Sequence, residues 1–187
     1  MTNVGENLKD PFGFWNENGK LTYHQGNVRI YNMDRQNYLF VDQVMYASTA
    51  ERAWYALNVY PHAKGRCLEI GLGLGVASKA ILSNKRVSHL LTIESNDYVI
   101  AAFGRPLLKH NILHANVYEW VNNLYNAEEM YDFIFVDHYT FDEEELNKLV
   151  QLSVDLKPLL KKDGRMVFWI DENGPEEDKH LIKQLEV

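Results

Sequence analysis

The sequence predicts an α/β protein, a doubly wound parallel sheet preceded by a small N-terminal β-meander. Three observations point there. The run Arg66-Cys67-Leu68-Glu69-Ile70 breaks into the alternating glycines Gly71, Gly73 and Gly75, and Val76 to Leu82 follow at helical spacing. That is the pattern of a buried strand, a tight turn and a helix. A second apolar run, His89-Leu90-Leu91-Thr92-Ile93, ends in Glu94, nineteen residues beyond Gly75. A third, Tyr131 to Val136, delivers Asp137. Ligands of open parallel sheets bind outside the carboxyl ends of the strands, which is where these acids fall.

Taken in order, residues 1 to 19 hold Pro11, Gly13 and Gly19 among Phe12, Phe14 and Trp15. This reads as an irregular arm whose aromatics anchor on the domain surface or on a partner subunit. Leu21 to Gln25, Asn27 to Asn32 and Tyr38 to Asp42 are short, alternating and β-rich, with Gly26 and the polar residues 33–37 between them, so they form the meander. Val44 to Ala47 and a helix over Thr49 to Val59 follow, with Ser48 or Thr49 as its start and Pro61 beyond its end. From there strands alternate with helices. Asn96 to His110 is expected as helix broken by Gly104 and Pro106, Asn111 to Asn116 as strand, and Val117 to Leu124 as a short helix carrying Trp120. Phe141 to Leu160 is a helix with Asp142, Glu143, Glu144 and Glu145 in its first turn, where the dipole favours acids. Asp163-Gly164 turns into a last strand, Arg165 to Ile170, whose apolar Val167, Phe168 and Trp169 make an edge suited to homodimerisation.

Length and composition bound the function. A chain of 187 residues holds one good core, with an N-terminal extension. A net charge of −7 gives no electrostatic reason to bind nucleic acid or an anionic membrane. Cys67 is the only cysteine, which excludes an intramolecular disulfide and a cysteine-based metal site; within a strand it reads as a small buried hydrophobe. No leader pattern and no membrane-length apolar run is visible, so the expected location is cytoplasmic.

The glycines do not fit a dinucleotide fold. Counted from Gly71, the sixth position of G-x-G-x-x-G is Val76; counted from Gly73, the later places are Ala77 and Ser78. The pattern is instead E-x-G-x-G-x-G. Together with Glu94 and the run Tyr131 to Asp137, it resembles the class I S-adenosylmethionine-dependent methyltransferase fold, a Rossmann-like fold, over roughly residues 20 to 171. Within it the meander and the helix after it are similar to the spermidine synthase-like branch. The resemblance implies an N-terminal arm and meander over 1–47 and an S-adenosylmethionine-binding domain over 48–187, shortened at its C-terminus because two further strands are usual.

It also implies a site. Glu69 takes the ammonium head group, the turn Gly71-Gly73-Gly75 packs on the ribose and methionine portion, and Glu94 clamps the ribose hydroxyls, with Ser95 and Asn96 on the same edge. Asn116 stands where the family meets the adenine amine; an amide both accepts and donates there. Val117 and Trp120 are apolar neighbours of the base, Trp120 doubling as core. Gln25 matches a cofactor-facing glutamine, and Tyr23, His24 and Tyr46 roof the pocket. Asp137 and His138 lie at the reaction centre, His138 as a general base near neutrality and Asp137 orienting an incoming amine; Tyr139 adds a phenol. No metal is implied.

Spermidine synthases carry an acid where this chain has Leu74, another at the place of Thr140, and a Tyr-His-Glu run at Trp54-Tyr55-Ala56. The missing groups are those expected to hold a diamine. The expectation is therefore methyl transfer from S-adenosylmethionine, leaving S-adenosylhomocysteine, to a small-molecule or protein substrate. Aminopropyl transfer is the alternative, and a non-catalytic nucleoside-binding subunit the second alternative.

Overall fold

The computed structural model describes residues 19–42, 44–103, 106–123, 130–138, 143–171 and 175–187. The aromatic arm with Phe12, Phe14 and Trp15 lies outside them, as do Gly104, Leu124, Tyr139, Thr140, Phe141 and Asp142. The chain forms two compact units, residues 1–50 and 51–187.

The N-terminal unit carries four strands, β1 (Lys20–Gln25), β2 (Val28–Met33), β3 (Gln36–Val41) and β4 (Val44–Ser48), each antiparallel to the next. Sequence reading finds three of them; β4 escapes it because Val44, Met45 and Tyr46 are all exposed, which hides the alternation. The polar stretch after β2 closes in two residues, Asp34 and Arg35, both at positive φ (50° and 65°). That geometry matches the twist of a hairpin. Val28, Tyr31 and Leu39 are buried, and Thr49 Oγ1 donates to Gln36 Oε1 (2.8 Å) while accepting from the Asn37 amide (2.9 Å).

A 3₁₀ turn, Thr49–Glu51, leads into α1 (Arg52–Asn58). The second unit then runs β5 (Gly65–Ile70), α2 (Val76–Ser83), β6 (Val87–Glu94), α3 (Asp97–Phe103), β7 (His110–His114), α4 (Val117–Asn122), β8 (Tyr131–Val136), α5 (Glu143–Leu156), β9 (Leu160–Phe168) and α6 (Glu176–Leu185). The sheet is parallel in the order β7-β6-β5-β8-β9. Its order reverses between β5 and β8, and the crevice at the carboxyl end of that reversal is the general ligand position of such sheets.

Both faces are covered, which is why β5 and β8 are so apolar. Alternate residues serve opposite faces. Cys67, Phe133, Phe135 and Val167 pack with Tyr55 of α1, Val59 just after it, and Ala77 and Ile81 of α2. Leu68, Ile70, Ile134, Val136 and Phe168 pack with Val117 of α4, Leu146, Leu149, Leu152 and Leu156 of α5 and Ile182 of α6. Each large side chain so buried contributes about 1.5–3 kcal/mol. The one acid inside β8, Asp132, is accommodated because its Oδ2 accepts from the Arg66 amide and from Lys161 Nζ, both at 2.8 Å.

Three expectations change. The helix after Glu94 covers only Asp97–Phe103, and Pro106 and Leu107 are not helical. A proline biases the residue before it away from helical backbone. The last strand begins at Leu160, with Asp163-Gly164 inside an irregular stretch where Tyr131 pairs Leu160 but Phe133 pairs Arg165. Its outer edge is not bare: the Met166 amide donates to the Val187 carbonyl at 2.9 Å, and the Val187 amide returns a bond at 3.4 Å. The edge argument for a homodimer loses force accordingly. In the first turns of α5 Glu144 is exposed, and Lys148 Nζ lies 2.7 Å from Glu144 and 3.0 Å from Glu145. No helix among the described residues is long and apolar enough to cross a membrane.

Candidate functional site

The turn after β5 gathers two of the acids. Gly71 has φ 91°, and an added Cβ would sit 2.0 Å from the Asp137 carbonyl oxygen, so only glycine lets the end of β8 lie against the turn. The Asp137 amide donates to the Ile70 carbonyl (2.8 Å), extending the ladder between β5 and β8 to that point. On the other side Glu94 Oε2 accepts from the Leu72 amide (3.0 Å) and Oε1 from the Asn96 amide (2.9 Å). Glu94 is therefore held at the turn by two backbone donors, one per oxygen, with a lone pair left on each. Gly75, at φ 64°, caps α2, and the ring of Phe103 fills the place a Cβ would take. Gly73 lies between them at φ 49°.

Glu69 departs from expectation. Its side chain is wholly buried, with Oε2 accepting from Ser78 Oγ (2.6 Å) and from Thr92 Oγ1. Having given its proton to Glu69, Thr92 accepts from His110 Nε2 at 2.8 Å. Burial pushes the Glu69 carboxyl up to about 8; the negative Asp137 and Glu94 add to this, and the two hydroxyl bonds oppose it. At pH 7 it is a neutral acid inside the fold, not a carboxylate offered to an ammonium group. Its Oε1 has no hydrogen-bond partner among the described residues.

The roles expected of Asp137 and His138 change too. Burial drives the His138 imidazole down to about 4, and its Nε2 pairs with the Tyr118 hydroxyl at 3.2 Å, so it is a weak base. Burial, with Glu51 adding, pushes Asp137 up to about 7, against the lowering effect of its bond from Tyr55. The group that titrates near neutrality is Asp137. The Tyr55 hydroxyl donates to Asp137 Oδ2 at 2.9 Å and lies 3.4 Å from Glu51 Oε2.

The remaining residues scatter. Ser95 is exposed, and its carbonyl pairs with His114 Nε2 at 3.0 Å. Asn96 caps α3 through bonds from the Tyr98 and Val99 amides. The Asn116 side chain accepts from the Tyr118 amide (2.9 Å), so its oxygen serves as the cap of α4. Val117 is buried in the core, and Trp120 packs on the same core. Gln25 closes β1 in the N-terminal unit, where its Oε1 accepts from the Tyr23 hydroxyl at 2.7 Å. Cys67 is buried, its thiol pushed up to about 12 by that burial, and unreactive. No group of His, Cys, Asp and Glu among the described residues is arranged to hold a metal ion. A cavity of about 340 Å³ lined by Trp54, His62, Arg165 and Lys183 is bordered by none of the residues at the turn.

Sequence reading missed Tyr55, Glu51, Ser78, Thr92 and His110. Only the Glu51–Tyr55 pair had a local signal, a spacing of four on one helix face.

No protein-family model matches the chain. Its structure is similar to that of the spermidine synthase from Thermotoga maritima, with TM-score 0.64 and 20% identity over 87% of this chain and 60% of that one. It is equally similar to a spermidine synthase in complex with the transition state analogue AdoDATO, with TM-score 0.65 and 20% identity over 88% of this chain and 60% of that one. The chain thus spans about 60% of the length of these neighbours. Both are spermidine synthases, which overturns the expectation of methyl transfer and favours the aminopropyl alternative. A meander ahead of a parallel sheet ordered β7-β6-β5-β8-β9 gives this chain the fold of these spermidine synthases.

Proposed function

We propose that the chain is an aminopropyltransferase-like enzyme that takes decarboxylated S-adenosylmethionine as donor and an amine as acceptor. One observation carries this reading: a single glycine turn holds Glu94 by the Leu72 amide and brings Asp137 against Gly71. Glu94 would receive the ribose hydroxyls on its free lone pairs, and Asp137 would face the reacting carbon.

The chemistry asks little more of the protein. The amine nitrogen forms a bond to the carbon next to the sulfonium, the carbon–sulfur bond breaks, and its electron pair stays on sulfur as a neutral thioether. The nitrogen then carries one proton too many. Asp137, pushed up to about 7, is matched to take it near neutral pH. Orientation and exclusion of water supply the rest of the acceleration. The departures at Leu74, Trp54-Tyr55-Ala56 and Thr140 bear on the acceptor, leaving the donor residues in place.

Calorimetry tests the donor. The decarboxylated nucleoside is expected to bind, and Glu94→Gln to weaken it about ten- to a hundredfold, the worth of charge-assisted hydrogen bonds. Asp137→Asn should leave that affinity within a few-fold while lowering turnover by roughly 10² or more. Preference for the carboxylated nucleoside, or affinity indifferent to Glu94, overturns the proposal.

A further inference from the structure

We infer that Tyr55 and Glu51 form a proton line that empties Asp137 after each transfer, a step that rests on the function proposed above. The line is seen in three places. The Tyr55 hydroxyl lies 2.9 Å from Asp137 Oδ2 and 3.4 Å from Glu51 Oε2, within reach of both carboxyls. The ring cannot swing away: it is buried edge-on against Phe135, centroids 5.9 Å apart, and against Trp54 at 5.6 Å. Glu51 occupies the N-cap position of α1, yet its side chain makes no capping bond there. Serine, threonine and aspartate are the usual occupants of such a position. A glutamate there has the reach to meet the hydroxyl one helical turn on.

The step balances without an outside reactant. Asp137, having taken a proton from the secondary ammonium, donates it to Tyr55 Oη while the Tyr55 hydroxyl proton passes to Glu51. Tyr55 ends as it began, a neutral phenol, and rotation of its O–H resets the line. Free tyrosinate is never formed, in keeping with the upward displacement of its ionisation by burial and by Asp137 and Glu51. Glu51 is half-buried and passes the proton to solvent. Besides Asp137 and Glu51, Glu69 from β5 acts on Tyr55, and Glu51 acts on Asp137. Tyr55 and Glu51 touch no substrate in this scheme and act through Asp137.

The variants Tyr55→Phe and Glu51→Gln keep ring and size and remove only the proton-handling groups. In each, the titration of the Asp137 carboxyl is followed by carbon NMR. Glu51→Gln is expected to lower the Asp137 midpoint, because a negative neighbour is gone; Tyr55→Phe is expected to raise it, because a bond to the ionised form is gone. A loosened fold would move both the same way. In turnover, both variants should lose about tenfold at the plateau with KM for the decarboxylated nucleoside unchanged, short of the roughly 10²-fold cost of losing a base outright. Midpoints that stay put or shift in parallel overturn the proton line. If the wild-type chain transfers nothing, the proposed function fails, while the opposed shifts still decide whether the line exists.

Discussion

Gly71→Ala unfolds at a much lower urea concentration than wild type, with an expected loss of roughly 3–5 kcal/mol and an unchanged denaturant slope. The new methyl group falls 2.0 Å from the Asp137 carbonyl oxygen and 2.9 Å from its carbonyl carbon, atoms of the main chain that no rotamer change can move. Asp137 is itself tied to β5 through its amide bond to the Ile70 carbonyl. Relief therefore requires the turn to lift off or β8 to part from β5 at its carboxyl end. The φ of 91° adds strain of its own for any residue with a Cβ. Gly75→Ala provides the internal comparison. Its methyl group would meet Phe103, 2.1 Å from a ring carbon, and a side chain can turn where a backbone cannot. That variant should lose about half as much or less. A Gly71→Ala protein within about 1 kcal/mol of wild type means the approach of Asp137 to the turn is not as described.

How much of this was legible beforehand follows from which signals are local. The three runs ending at Ile70, Glu94 and Val136 declare themselves because strands covered on both faces cannot hide their apolarity. The glycine turn declares itself because no other residue tolerates the approach at Gly71. The helix Glu176–Leu185 and the early start of the last strand at Leu160 carried no comparable mark. Lys161, Lys162 and Asp163 are exposed polar residues within a strand, paired only through an irregular register. Chemistry was less legible than fold. Whether Glu69 looks outward or inward depends on Ser78 and Thr92, which lie on other elements, and whether Asp137 or His138 titrates near neutrality depends on which ring or carboxyl the packing encloses. Neither is set by spacing along the chain. The amide oxygen of Asn116 shows the converse: an N-cap was the simplest use of that residue type in front of a helix, and that is its use here.

Glu69→Gln flattens the alkaline side of the stability profile. The folded chain holds the Glu69 proton up to about 8 and that of Asp137 up to about 7, against ordinary values of 4.5 and 3.8. Between those limits the unfolded chain is ionised and the folded one is not, so stability falls as pH rises. His110 and His138 work in the opposite sense: held down to about 4 in the fold against 6.5, they cost stability as pH drops below 6.5. Below pH 6.5 the two carboxyls are opposed by His110 and His138, and by His62, which burial, Arg165 and Arg86 also lower. Above 6.5 only the carboxyls remain. At about 1.4 kcal/mol per pH unit, Glu69 alone removes about 2 kcal/mol between pH 6.5 and 8. Glutamine keeps an acceptor for Ser78 and Thr92 and has no proton to lose, so the variant should show only the small fall due to Asp137, complete by about pH 7. Urea titrations at half-unit intervals would resolve this. Wild type and variant falling in parallel from pH 6.5 to 8 would mean that Glu69 is ionised in the fold, and with it that the interior under the glycine turn already holds a negative charge.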